Sequence, residues 1–230
     1  KLIAKFARKI FLSWEESKKY FALYKDKVEV VGNPVRAMIF EGSAQKGYKL
    51  TGFSKDLPVV LIMGGSTGAQ SVNELVWKTL PQLTKFCQVV HVTGPGKGSV
   101  ARDRQNNYKS FDYLHDELAD VYAITDLVVG RAGATSLAEI IALKKPSLLI
   151  PLGTHASRGD QIINAEMCLR NGWSEVFDET KENPEAFIKR LKKLCLEQEK
   201  RSKMSRAMEN VAKHIRGASK TVIAEIERNS

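Results

Sequence analysis

Short apolar runs alternate with helical patterns along most of this chain, and that alternation restricts the fold more than any other feature. Strands are expected at residues 9–12, 28–31, 58–63, 88–93, 110–113, 127–130, 146–150 and 174–177. Most are rich in Val, Ile and Leu and are bounded by Gly, Pro or Asp. Continuous apolar strands of this kind suit a parallel sheet covered on both faces. Helices fit between them at 69–80, 100–107, 117–123, 135–143 and 161–171. The spacing therefore predicts βαβ crossovers and an α/β, Rossmann-like, doubly wound parallel sheet. Ser13-Trp-Glu-Glu16 reads as a capping box opening a further short helix. Residues 41–55, rich in Gly and Lys, read as a loop. From Pro184 onward the sequence is helical and charge-rich, with Gly217 expected to break it into two sections.

Composition narrows the class. With 230 residues, 43% hydrophobic and 27% charged, the chain can bury a real core. No apolar run approaches the roughly 18 residues that span a bilayer, and the basic start lacks the apolar core of a signal peptide. The chain begins without Met, and we read it as a piece of a longer protein. Cys87, Cys168 and Cys195 lie far apart with no CxxC, which fits a reducing compartment and argues against a disulfide framework or a zinc site. The net charge of +10 is uneven: residues 1–27 carry +5 and residues 181–220 carry +7, leaving −2 for the rest. The basic ends are either solvated helix faces or surfaces drawn to an anionic membrane. Nucleic acid is not expected, because aromatic residues do not interleave with the basic ones.

In open α/β sheets ligands bind beyond the carboxyl ends of the strands. Four loops there are unusual: 32–36, 64–70, 130–136 and 151–161. The first glycine loop, Gly64-Gly-Ser-Thr-Gly68, is not a Walker A loop, since Ala69 and Gln70 follow where Lys and Ser/Thr are needed. It also makes a poor dinucleotide fingerprint, because the next strand ends in Thr93-Gly94 with no acid for a ribose. What remains is a strand–glycine–helix turn that either cradles an anion on free backbone N–H groups or is simply tight. The second loop, Gly130-Arg-Ala-Gly-Ala-Thr-Ser136, leaves room for a bulky ligand above a helix start. Glu139 follows inside that helix. Its two acceptor oxygens match a ribose cis-diol, the alternative being an exposed helix glutamate. Asp160 and Gln161 offer sugar hydroxyls an acceptor and an amide, unless Asp160 merely caps its helix. Arg36, in Gly32-Asn-Pro-Val-Arg36, carries a guanidinium suited to phosphate. Gly94–Gly98 reads as a plain turn, or as a phosphate cover through Lys97. Together these features point to a nucleotide diphosphate sugar, and without an Asp-x-Asp no metal ion or other cofactor is expected.

The motifs GNPVR, GGSTGAQSVN, GRAGATSLAEI and SRGDQIINAE, in this order and spacing, closely resemble the C-terminal half of the MurG family. That family comprises the bacterial UDP-N-acetylglucosamine:N-acetylmuramyl-pentapeptide-pyrophosphoryl-undecaprenol N-acetylglucosaminyltransferases; the SRGDQ form resembles its Bacillus-like members. The resemblance implies the C-terminal domain of a GT-B glycosyltransferase. It further implies inverting transfer of GlcNAc from UDP-GlcNAc to lipid I, forming lipid II in peptidoglycan synthesis. The work would be peripheral, at the cytoplasmic side of the bacterial cell membrane. By matched motif, Arg36 and Ser66 with Gly64, Gly65, Thr67 and Gly68 would contact the diphosphate, and Glu139 the ribose. The backbone of Ala134, with Asp160 and Gln161, would hold the GlcNAc hydroxyls. Leu114 and His115 would lie beside the uracil. Arg131 and Thr135 join the same substrate-binding set.

The family's N-terminal glycine-rich loop and its proposed basic His have no counterpart here. Residues 1–31 are read as the end of that missing acceptor domain, 32–216 as the UDP-GlcNAc-binding domain, and 217–230 as a helix returning to the missing part. No catalytic base is expected in this chain; of His91, His115, His155 and His214, only His155 lies in a suitable polar loop. Two further readings are a UDP-sugar-binding subunit that needs a separate membrane partner chain, and another UDP-sugar enzyme of GT-B fold.

Overall fold

The computed structural model describes residues 3–65, 68–98, 105–153 and 159–228. Its centre is a six-stranded, wholly parallel sheet. The strands are β3 (Val59–Met63), β4 (Gln88–Val92), β5 (Tyr108–Phe111), β6 (Leu127–Gly130), β7 (Ser147–Leu149) and β8 (Ser174–Val176). They lie in the order β5-β4-β3-β6-β7-β8, which is the Rossmann order. Two earlier strands, β1 (Ile10–Leu12) and β2 (Val28–Val30), form a separate parallel pair bridged by a 3₁₀ segment, Glu15–Lys27.

The helices are α1 (Ala44–Thr51), α2 (Gln70–Leu83), α3 (Glu117–Ile124), α4 (Ala134–Ala142), α5 (Asp160–Arg170), α6 (Pro184–Leu196), α7 (Gln198–Ala207) and α8 (Glu209–Arg228). They cover both faces of the sheet. Successive residues of a strand point to opposite sides, and β3 shows how both sides are used. Val60 and Ile62 pack with Val72, Val76, Phe187 and Leu191 of α2 and α6. Val59 and Leu61 pack with Val121 and Tyr122 of α3 and Ile140 of α4. A third cluster joins α4, α5 and α8 around Leu137, Ile141, Met167 and Ile215, and takes in Trp14. Val60, Leu61 and Ile62 are 0% exposed, and each such side chain contributes about 1.5–3 kcal/mol of burial.

Some expectations fail for identifiable reasons. Residues 41–55 are not a loop, because they hold α1, with Ser43 as N-cap and Gly52 in the left-handed conformation as C-cap. The glycines that read as loop residues are contact residues: a Cβ on Gly42 would lie 2.0 Å from the Ala119 carbonyl oxygen, and one on Gly47 would lie 2.3 Å from that of Asp120. They let α1 lie directly on α3. Ser13 caps nothing; the 3₁₀ segment starts after Trp14 with no side-chain cap. Gly217 does not break the last helix, for α8 runs unbroken from Glu209 to Arg228. A helical glycine costs only about 1 kcal/mol, and burial of Ala212, Ile215 and Ala218 around it offsets that. Of the helix expected at 100–107, residues 105–107 form a bend and turn instead, and residues 100–104 lie outside those described. β5 begins two residues early, at Tyr108, whose side chain is buried.

Two outcomes follow from this packing. Helix propensity favours Ala over Gly by about 1 kcal/mol, yet Gly47→Ala should destabilise the protein, since the new methyl meets the backbone of α3; a urea-unfolding midpoint at or above the parent's would contradict the close contact. Burial, aided by the charge of Glu16, raises the Cys168 thiol to about 12. The unfolded chain releases this proton from about pH 9 while the folded chain keeps it, so stability falls as pH rises from about 9 towards 12. Cys168→Ala should make the loss between about pH 8 and pH 10.5 shallower, as read by urea unfolding at both.

Candidate functional site

The strand order reverses between β3 and β6. From β3 the chain leaves through α2 towards β4, and from β6 it leaves through α4 towards β7. Neither helix covers the point of divergence, so a crevice opens beyond Met63 and Gly130. There the structure has a cavity of about 310 Å³, lined by Arg36, Met63, Gly65, Val92, Tyr113, Leu114, Leu118, Thr135, Ser136 and Glu139.

The loop after β3 explains its glycines. A Cβ on Gly64 would lie 2.3 Å from the Ala69 amide nitrogen, so only glycine permits so tight a turn into α2. Gly65, on the cavity wall, has φ +93°, a conformation that favours glycine. Gly68 lies so close to β4 that a Cβ would sit 2.1 Å from the Thr93 carbonyl oxygen. On the neighbouring turn, a Cβ on Gly130 would be 2.7 Å from the Met63 carbonyl oxygen. The two turns are thus pressed together by the absence of side chains. Ser66, Thr67 and His155 lie outside the described residues.

Helices α2, α4 and α5 open onto this edge of the sheet from Ala69, Gly133 and Gly159, none with a side-chain cap. In contrast, α1 and α6 are capped by Ser43 and Asn183. Uncapped N–H groups and the positive end of a helix dipole suit an anion. Ala134 is the first residue of α4, and Thr135 beside it faces the cavity.

A buried polar chain fixes α2 to the sheet beneath the glycine loop. Asn73 Nδ2 donates to the Thr93 carbonyl at 2.8 Å, so its Oδ1 receives the His91 Nε2–H at 3.0 Å. His91 Nδ1 then accepts from the Tyr108 hydroxyl at 3.1 Å, and Trp77 Nε1 donates to that oxygen at 3.4 Å. His91 is therefore a structural residue, held on both ring nitrogens, as its place in a buried strand predicts. His214 is exposed on α8, its Nδ1 2.9 Å from the Asn210 carbonyl oxygen. His115 is exposed and packs against Tyr113, ring centroids 4.5 Å apart and planes tilted by 55°. Lys97 Nζ donates to the Gly68 carbonyl at 3.4 Å, bringing an ammonium to the glycine loop.

The decisive pair spans 103 positions. Arg36 Nε and Nη2 donate to Glu139 Oε1 at 3.2 and 3.0 Å. The Glu139 side chain is 8% exposed and that of Arg36 46%. Glu139 is thus not an exposed helix residue; α4 presents it at the cavity wall. Tyr122, fully buried on α3, lies at the same spot, with its hydroxyl 3.9 Å from Met63 Sδ. Burial first, and then the Glu139 charge, hold its phenol well above the usual tyrosine range.

Other expected site residues sit elsewhere. The Arg131 guanidinium turns away from the cavity. Its Nη1 donates to the Ile150 carbonyl at 3.0 Å and to Glu179 Oε1 at 2.6 Å, and its Nη2 donates to Ser71 Oγ at 2.7 Å. It ties the edge of the sheet to α2. Asp160 is exposed at the start of α5, outside the cavity. Gln161 Oε1 accepts from the Leu152 amide at 3.1 Å, holding the loop after β7. Residue-by-residue reading missed Met63, Val92, Tyr113, Leu118 and Ser136. Met63 and Val92 end β3 and β4, and Tyr113 follows β5, so position at the carboxyl end of a strand was the available signal. Among the described residues no group of three or more His, Cys, Asp and Glu side chains is placed to hold a metal ion.

Residues 59–221 match the model of the glycosyltransferase family 28 C-terminal domain. This chain belongs to that family. The family 28 chain is 43% identical over 200 residues to UDP-N-acetylglucosamine--N-acetylmuramyl-(pentapeptide) pyrophosphoryl-undecaprenol N-acetylglucosamine transferase 2 of Bacillus cereus, covering 87% of this chain and 56% of that protein. It is 44% identical over 194 residues to the transferase so named in Staphylococcus carnosus, covering 84% and 53%. The chain therefore spans about half the length of these curated relatives. The crystal structure of Acinetobacter baumannii MurG superposes with a TM-score of 0.69 at 18% identity, covering 99% of this chain and 63% of that one. The UDP-GlcNAc 2-epimerase of Neisseria meningitidis gives 0.65 at 16% identity, with the same coverage. At such identities the likeness is one of fold, and the fold is that of the C-terminal domain of GT-B glycosyltransferases.

If Arg131 serves the fold in this way, Arg131→Met should lower the unfolding free energy by about 3 kcal/mol or more, because Glu179 and the Ile150 carbonyl lose a buried partner. An unchanged urea midpoint would return Arg131 to the candidate ligands.

Proposed function

We propose that this chain is the donor-binding part of an enzyme that moves N-acetylglucosamine from UDP-N-acetylglucosamine to a lipid-linked N-acetylmuramyl-pentapeptide, the lipid I to lipid II step of peptidoglycan synthesis. The observation that carries this reading is the Arg36–Glu139 pair at the mouth of the switch-point cavity. One cavity wall thus holds a guanidinium suited to a diphosphate and a carboxylate suited to a ribose diol. Family membership and the activities named for the Bacillus and Staphylococcus relatives support it.

In this reading the uracil lies against the apolar end of the cavity, by Val92, Tyr113 and Leu114. Glu139 receives the ribose hydroxyls. Arg36, Ser66 and the amides of the glycine loop, Gly64 to Gly68, take the diphosphate. The start of α4 at Ala134 and Thr135, with Asp160 and Gln161 across the crevice, contacts the sugar. As the bond to the anomeric carbon breaks, negative charge grows on the departing diphosphate. In this reading the amide dipoles at the helix starts, and Arg36 turned from Glu139 to the diphosphate, stabilise it, and no metal ion is proposed for that task. Among the described residues Glu139 is the one carboxylate on the cavity wall, and in this reading it is committed to the ribose. The general base is therefore proposed to belong to the acceptor-binding part of the longer protein.

Residues 1–31 are proposed to continue into that part. Their β1–β2 pair stands apart from the main sheet, and Ile3, Phe6 and Leu23 are 82%, 81% and 92% exposed. The unit that binds the donor is proposed to run from Gly32 through α7 and into α8, whose last turns lie beside β1 and β2 at Lys9, Glu29 and Arg228. Among the described residues no helix is long and apolar enough to cross a membrane. The basic ends support peripheral attachment at the cytoplasmic face, where the lipid-linked acceptor is proposed to be met.

Calorimetry with UDP-GlcNAc, UDP-glucose and UDP tests the assignment. UDP-GlcNAc should bind at least as tightly as UDP-glucose, and the reverse preference would defeat it. Glu139→Ala should weaken UDP-GlcNAc roughly tenfold or more, since hydrogen bonds to a charged acceptor are worth about 1.5–3 kcal/mol. Equal affinity in that variant removes Glu139 from the site.

A further inference from the structure

The Arg36–Glu139 pair lies across the path of the ligand proposed above. Arg36 Nε and Nη2 both donate to Glu139 Oε1, at 3.2 and 3.0 Å. A carboxylate oxygen accepts about two hydrogen bonds, so this oxygen is filled. A ribose cis-diol uses both oxygens of a carboxylate, one for each hydroxyl. While Arg36 stays, Glu139 has one oxygen at most to offer the pentose. The same two bonds turn the Nε–Nη2 edge of the guanidinium, the edge that grips an oxyanion as a fork, away from a diphosphate.

The pair can open at one end only. Glu139 is held in α4 between the buried residues Ala138 and Ile140, and its side chain is 8% exposed. The Arg36 side chain is 46% exposed. Its backbone is anchored: Gly32 lies against Ile215 of α8, Val35 packs on the cluster around Leu137 and Ile141, and the Arg36 carbonyl accepts from the Ile39 amide at 3.3 Å. Opening is therefore the swing of one long side chain about a fixed Cα. It strips a nearly buried carboxylate of its ionic partner, which is unfavourable unless new donors arrive. A diol supplies donors to Glu139 but leaves the guanidinium in water. A nucleoside diphosphate replaces both partners at once, with hydroxyls for Glu139 and phosphate oxygens for Arg36.

We propose that the pair is a specificity latch: while closed, as the structure shows it, it withholds Glu139 from nucleosides, and it yields to a ligand that carries a diphosphate as well as a pentose. This role rests on reading the cavity as the uridine diphosphate site; beyond that reading, diol and diphosphate are recognised jointly and not independently. Uridine has the diol and no phosphate. It must open the latch unaided, with its affinity reduced by the small open fraction, or bind without Glu139. In both cases the diol brings it little. Selectivity then comes from a contact that binding has to break, an obstacle set against the wrong ligand.

Four ligands test the latch on the unmodified chain: UDP, uridine and the 2′,3′-dideoxy form of each, titrated by calorimetry or, for the weaker nucleosides, by NMR. Removing the diol should weaken UDP roughly tenfold or more, as expected for loss of hydrogen bonds to a charged acceptor. It should weaken uridine by no more than about twofold, because Arg36 keeps Glu139 engaged. Equal losses for UDP and uridine would overturn the latch and leave the site standing. If removing the diol costs UDP nothing, Glu139 does not hold the ribose and the reading of the cavity itself fails. Arg36→Met keeps the reach of the side chain and removes both donors. It should weaken UDP, tighten uridine about threefold or more, and restore to uridine a preference over 2′,3′-dideoxyuridine. An arginine that bridged Glu139 and phosphate together would support the nucleoside as well, so uridine binding that is unchanged or weaker in Arg36→Met would overturn the proposal.

Discussion

A gap opens above β3 and β6, where the strand order reverses. Both strands are buried on both faces and run in parallel, so each must leave its carboxyl end through a helix, and the two helices depart in opposite directions. The helix starts at Ala69 and Gly133 are without side-chain caps at this point, which leaves their amides suited to an anion. The glycines follow from the same geometry. Gly64, Gly68 and Gly130 stand where a Cβ would strike backbone within 2.7 Å, so the turns can close on one another without filling the crevice. Gly65 alone among them faces the cavity with open space around it.

Charge is added to this frame from a distance. Arg36 comes from a segment N-terminal to the sheet, after Gly32, whose absent Cβ would lie 2.8 Å from Ile215 Cγ1 of α8. Glu139 comes from α4. The ion pair therefore links the entry to the domain with the helix that flanks the crevice. Arg131 shows the opposite use of one residue type. It lies in the glycine-rich turn itself, yet its side chain is spent on Glu179, Ser71 and the Ile150 carbonyl. Arg36 is half-exposed at the crevice; Arg131, at 7% exposure, holds the scaffold.

The sheet was legible because apolar strands leave a local pattern, and β6 falls on the expected residues while others move by one or two. What misled was glycine. At Gly42 and Gly47 it marks close packing of α1 on α3, a tertiary cause with no local signature, and the segment read as a loop. At Gly217 it marks nothing, because packing of α8 outweighs a small propensity cost. The site was legible by type and not by partnership. Arg36 and Glu139 each suggested a ligand group, but their contact across 103 positions has no trace in spacing. Arg131 was placed with the ligands because it lies in the matched motif GRAGATSLAEI, although a side chain on that turn is free to point behind it.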